Sequence, residues 1–152
     1  MFVKMRERIV VLAAIAILVA GLTGCSSEPP PEHPGPGMLA AGTAEVTINN
    51  VKASRTNAVH CNTTGDLTTV STGDDASGMS AVITNTKGLT AATVSINQLG
   101  GFTGSYNDGL STRPARVSMT GRTYDITGTA DGFNADNPSA RTTGGFAIKV
   151  AC

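Results

Sequence analysis

The chain has 152 residues, of which 14% are charged and 4% aromatic, with no Trp and a formal net charge of zero. That length holds an export segment and one domain of ordinary size rather than two separate cores, and the low charge excludes an acidic or basic disordered tail. Few Leu, Glu and Lys argue against a helical bundle, whereas abundant Thr and Val favour strands.

At the start, Lys4, Arg6 and Arg8 precede an uncharged apolar run of 14 residues, Ile9 to Leu22. This is the form of a signal peptide, and the run is shorter than the roughly 20 residues that a helix needs to cross the hydrocarbon core. Leu22-Thr23-Gly24-Cys25 then closes it with an aliphatic residue, two small ones and a thiol. The tetrapeptide resembles the lipobox of bacterial lipoproteins, in which the Cys thiol takes a diacylglycerol and the bond before it is cut. Residues 1–24 are therefore expected to be a lipoprotein signal peptide and Cys25 the lipidated mature N-terminus. Acyl chains such as palmitate, each buried methylene contributing about 0.8 kcal/mol, would hold the protein at the membrane. Removing Lys4, Arg6, Glu7 and Arg8 leaves a mature chain of net charge −2, without the basic field that nucleic-acid binding requires.

Residues 25–42 contain Ser-Ser-Glu-Pro-Pro-Pro-Glu-His-Pro-Gly-Pro-Gly after the Cys, a composition that favours extended polyproline geometry and reads as a tether. His33 is alone there, so no metal role is expected for it.

From Thr43 the pattern changes to short alternating runs, expected to form one β-rich domain over 43–152. Val46 and Ile48, Val94 and Ile96, and Val117 and Met119 alternate with polar neighbours, and Phe146, Ile148, Val150 and Cys152 share one face. Period-two alternation marks strands with one buried side. Turn signals recur at Thr64-Gly65-Asp66, Gly73-Asp74-Asp75, Lys87-Gly88, Asn107-Asp108-Gly109, Thr120-Gly121-Arg122 and Asp131-Gly132. The spacing predicts an all-β fold, a small antiparallel β-sandwich or closed sheet of about eight strands. One short helical turn around Asn137-Pro138 is also expected.

Lipidation of Cys25 resolves the odd count of three cysteines, which leaves Cys61 and Cys152 as a disulfide pair. Cys61 follows Val59 by two and Cys152 follows Val150 by two, so both are expected to face inward. His60 and Cys61, adjacent on a strand, point to opposite faces and cannot converge on one ion or substrate.

No nucleophile elbow, zinc helix, phosphate loop or dinucleotide fingerprint is present. Asp74-Asp75 lacks the alternating oxygen ligands of a calcium loop and reads as a hydrated turn. Asp131 and Asp136 are further available carboxylates, and Asp125, in a strand, should face solvent, away from Tyr124 and Ile126. Asn62-Thr63-Thr64 meets the glycosylation sequon but reads as a plain turn. Arg113, Arg116 and Arg122 read as a solvated loop. No catalytic, metal or cofactor residue is expected, and the protein is not expected to be an enzyme.

The run Leu18 to Ser27 resembles the mycobacterial, LpqH-like lipoprotein antigen family, as do Tyr124-Asp125-Ile126-Thr127-Gly128-Thr129-Ala130, Asn137-Pro138 and the closing Phe146 to Cys152. The order of Cys61 and Cys152 also matches that family's two domain cysteines. The resemblance implies a surface antigen of the cell envelope, lipid-anchored on the outer side of the cell membrane, whose acylated N-terminus is sensed by the host's Toll-like receptor 2. Only Cys25 carries over as a residue for that recognition. The Pro-rich tether departs from the Thr- and Ser-rich, O-glycosylated one of the family's best-known member. The competing expectation is a carrier, in which apolar positions around Val94, Ile96, Phe102, Val117, Met119 and Phe146 enclose a lipid acyl chain.

Overall fold

The computed structural model describes residues 33–152, so the expected signal peptide, Cys25 and the expected tether up to residue 32 lie outside the described residues. Ten strands follow Thr43: β1 (Ala44–Ile48), β2 (Val51–Thr56), β3 (Val59–Thr64), β4 (Leu67–Gly73), β5 (Gly78–Thr84), β6 (Thr90–Leu99), β7 (Phe102–Asn107), β8 (Arg116–Thr120), β9 (Thr123–Asn134) and β10 (Asn137–Ala151). They form one antiparallel sheet in the order β2-β1-β10-β9-β7-β6-β5-β4-β3, with β8 pairing β6 and β9.

Why this sheet must roll up follows from its edges. Laid flat, β2 and β3 would lie eight strand spacings apart, about 38 Å. Yet only Asn57 and Ala58 separate Thr56 from Val59, and three virtual bonds span at most about 11 Å. Residues 51–64 are thus one long bent strand, the first half pairing β1 and the second half pairing β4. β7 and β8 likewise share a single place between β6 and β9, pairing the upper part of β9 at Asp131–Asn134 and the lower part at Thr123–Thr127. Ten segments therefore occupy eight positions around a closed sheet, which is the number that the turn spacing predicts, reached with two positions broken in half.

Alternation fills the interior. Val46 and Ile48 of β1, Phe146, Ile148 and Val150 of β10, Ile126 and Ala130 of β9, Val94 and Ile96 of β6 and Met79, Ala81 and Ile83 of β5 form one buried cluster. Tyr106 and Phe146 meet edge to face at 6.2 Å between centroids, an arrangement that suits two aromatic quadrupoles. Phe102 is fully buried because glycines make room for its ring: a Cβ at Gly104 or Gly144 would lie 2.6 or 2.8 Å from Phe102 Cζ. Among the described residues, no buried side-chain nitrogen or oxygen lacks a hydrogen-bond partner.

Several local expectations are corrected. The segment around Asn137-Pro138 forms no helical turn: Ala135 and Asp136 make a tight connection between β9 and β10, pinned where the Ala135 N–H donates to Gly101 O at 2.7 Å. Pro138, which lacks a donor, falls where the register shifts between Asn137 and Thr142, the kind of irregularity in which strands tolerate proline. Asn62-Thr63-Thr64 is strand, paired with Thr69, Thr68 and Leu67, and the turn begins one residue later at Gly65. Asn49 and Asn50 form a two-residue turn with φ of 50° and 64°, the mirror-image geometry that matches strand twist. Met119 pairs Tyr124 on the inner face but is 50% exposed, because it lies at the open rim.

Candidate functional site at the tethered end of the barrel

The segment that reads as a spacer does not run straight off the domain. Met38 and Leu39 are the one adjacent pair of large apolar residues between His33 and Gly42, and both are half-buried against the β8–β9 turn. The Leu39 N–H donates to Thr123 Oγ1 at 2.9 Å. Thr123 is only 2% exposed, so this bond matters: a buried hydroxyl finds its partner in the incoming chain. Gly121 has φ of +58°, and a Cβ there would meet the tip of Met38 at 2.4 Å. The Gly42 N–H then donates to Ala151 O and the Ala151 N–H to Thr43 O, each at 2.9 Å, which extends the β1–β10 ladder by two residues. The folded unit thus begins near Met38, several residues before the first strand.

The disulfide closes the same end. Cys61 and Cys152 are bonded, with Cα atoms 5.9 Å apart. Cys61 pairs Val70 and so shares its inward face, as expected from the phase with Val59. It is nevertheless exposed, while Cys152 is half-buried. The correction has a plain cause: β3 pairs only β4, and no ladder flanks its other side. Cys152 is also held from the other direction, its N–H donating to Arg122 O at 3.1 Å and its carbonyl oxygen accepting from the Arg122 guanidinium. Tether, bridge and β8–β9 turn therefore converge on one end.

The remaining candidates are dispersed. His60 pairs Ser71 on the outer face, on the side opposite the Cys61 disulfide sulfur. Asp74 stands in an exposed turn, its carboxylate accepting from the Ala76 and Ser77 N–H groups at 2.9 Å each. Those two backbone donors hold its carboxyl below the ordinary value of 3.8. Asp125 faces outward, 3.7 Å from Lys149 Nζ. Among the described residues, no three His, Cys, Asp or Glu side chains gather as a metal site. Of the positions nominated for an acyl cavity, Val94, Ile96, Phe102 and Phe146 are buried within the packed cluster and Val117 lies half-buried against it. A ligand there would have to displace them.

Sequence reasoning did not foresee the docking of Met38 and Leu39. The signal was present, since two apolar residues in a Pro/Gly-rich stretch have no reason to stand in water together. A family model described as the Mycobacterium 19 kDa lipoprotein antigen matches residues 37–152, a span that opens next to this docked segment. A chain of Mycobacterium indicus pranii that carries a lipoprotein name is 35% identical over 150 residues, 97% of this chain and 100% of that one. Lipoprotein LpqH of Mycobacterium tuberculosis H37Rv and of Mycobacterium bovis BCG are each 33% identical over 154 residues, 94% of this chain and 96% of theirs.

Proposed function

Because this chain belongs to the Mycobacterium 19 kDa lipoprotein antigen family, we propose that it is a cell-envelope lipoprotein, anchored on the outer side of the membrane by acyl chains on Cys25, with the barrel displayed as an antigen and binding module. The observation that carries the reading is a conjunction: Leu22-Thr23-Gly24-Cys25 stands directly after an export-type apolar run, and the whole domain after the tether matches the family. The acylated N-terminus is the element that Toll-like receptor 2 would sense, and the barrel itself has no catalytic task in this reading. Counted along the sequence, 13 residues lead from Cys25 to Met38. Their Pro- and Gly-rich composition makes them a spacer between the anchor and the barrel in this reading.

Intact mass of the native protein and of its Cys25→Ser variant tests the anchor. A mature chain beginning at Cys25 and carrying acyl chains, absent from the variant, is the expected result. An N-terminus that is uncleaved or unacylated would overturn the reading. Reporter cells bearing Toll-like receptor 2 should respond to the native protein and not to the variant; an equal response to both would remove the acyl chains from the recognition.

A further inference from the structure

The β7–β8 connection interrupts one of the eight positions of the barrel, and what it carries is not needed to close the sheet. Asn107 starts it: its carbonyl accepts from the Leu110 and Ser111 N–H groups at 3.1 and 2.9 Å, and its side chain accepts from the Gly109 N–H at 3.0 Å. Its far end is fixed from beneath. Tyr106, 1% exposed, donates from its hydroxyl to Asp108 Oδ1 and accepts from the Ala115 N–H, both at 2.9 Å. Gly128 of β9 has no side chain to obstruct this approach, and a Cβ there would lie 3.0 Å from Ala115 Cβ. The loop is therefore seated on the sheet by a buried phenol and a glycine.

That seating has a chemical result. On either side of Ala115, Arg113 and Arg116 flank a surface groove of about 490 Å³ whose other wall is formed by Thr127 and Thr129. Arg116 pairs Thr127 directly across the ladder. No carboxylate lines the groove, and the ion pairs among the described residues, Arg55 with Glu45 and Lys149 with Asp125, use neither of these arginines. Asp125, the acid next along β9 on one side, is engaged with Lys149. On the other side, Asp131 lies two residues beyond Thr129 and lines a different depression with Arg141. Arg122, by contrast, is taken up by the Cys152 carbonyl, so the three arginines of this stretch do not form one field.

From this geometry we infer that the groove between Arg113, Arg116, Thr127 and Thr129 is a binding site for a phosphate ester. Guanidinium forks match phosphate oxygens in pairs, and two threonine hydroxyls supply further donors to the same group. The ester can come from a phospholipid headgroup or from a soluble phosphorylated molecule, since a diester and a monoester both present at least two non-bridging oxygens to a guanidinium fork. The inference concerns the folded domain and does not depend on Cys25 being acylated.

Arginine-selective labelling with phenylglyoxal, read residue by residue by mass spectrometry on the full chain, tests it. In neutral detergent, glycerol 1-phosphate is expected to protect Arg113 and Arg116 while leaving Arg55, Arg122 and Arg141 unchanged. In Arg113→Gln, protection of Arg116 should require at least a tenfold higher concentration, equivalent to about 1.4 kcal/mol. Arg113→Lys, which keeps the charge and loses the fork, should weaken it as well. The same labelling in vesicles of a phosphate-free glycolipid, digalactosyldiacylglycerol, with and without phosphatidylglycerol, distinguishes the sources. Protection that phosphatidylglycerol reproduces assigns the headgroup; protection by glycerol 1-phosphate alone assigns a soluble ester. No protection, equal protection of all five arginines, full retention in Arg113→Lys, or protection by vesicles without any by glycerol 1-phosphate would each overturn the site.

Discussion

Removing the Cys61–Cys152 bridge should cost the domain a large share of its stability, and the structure allows the size to be worked out. The bridge joins residues 91 positions apart, and closing a loop of that length in the unfolded chain corresponds to about 4.6 kcal/mol at 25 °C in the chain-entropy model. Loss of packing adds little, because Cys61 is exposed and Cys152 only half-buried. For a domain of this size, 1 kcal/mol is worth about 4 °C in Tm, so Cys61→Ala/Cys152→Ala should melt roughly 15 to 20 °C below the oxidised protein. Thermal unfolding followed by circular dichroism gives both values, and wild type reduced with dithiothreitol should coincide with the double variant. Exposure of Cys61 means that mild reductant reaches the bridge in the folded state. A fall of less than about 5 °C would refute the reasoning, showing that the bent strand and the clamp of Arg122 on Cys152 hold the end closed without it.

Thr123→Ala removes the acceptor for the Leu39 N–H and should cost about 1 kcal/mol, with faster proteolysis between Met38 and Gly42 as the sharper readout. Gly132→Ala would bring a Cβ to 2.0 Å from Thr103 O, a backbone atom of the neighbouring strand that cannot swing aside; denaturant titration should show a loss at or above the 1 to 3 kcal/mol typical of overpacking, here about 3 kcal/mol. Tyr106→Phe leaves the buried Ala115 N–H without its acceptor, which should cost about 1 to 3 kcal/mol and loosen the loop that holds Arg113 and Arg116. For Asp74 the sign follows from a folded pKa lowered by the Ser77 and Ala76 N–H groups. Its charge contributes stability above pH 3.8 that is lost as pH falls through the lower folded value, so wild type should exceed Asp74→Asn near neutrality and converge with it in acid.

Much of the fold was legible in the sequence. A positive start, a 14-residue apolar run and a closing Cys25 carry the expectation of export and anchoring in the sequence alone, because signals of this kind are read on the unfolded chain. Alternation located most strands correctly, since the pleat has a period of two wherever one face is buried. Val46, Ile148 and Val150 are at most 1% exposed for that reason alone. The pairing of Cys61 with Cys152 followed from parity once Cys25 was set aside.

Only the tertiary structure decided where those strands stand, because that depends on contacts between residues far apart in sequence. Thr56 and Val59 belong to opposite edges of the ladder order, and their covalent proximity is what rolls the sheet shut. That arrangement leaves β3 paired with β4 alone, which is why Cys61 is inward in phase and exposed in fact. It puts Thr123 under Leu39, 84 residues earlier, turning the end of a tether into the beginning of a domain. It also seats Ala115 against Gly128, so that arginines belonging to a polar turn in the sequence come to flank a groove in the fold. Local pattern specifies which face of a strand seeks burial; the partner that buries it, and the surface left over, exist only once the ring is complete.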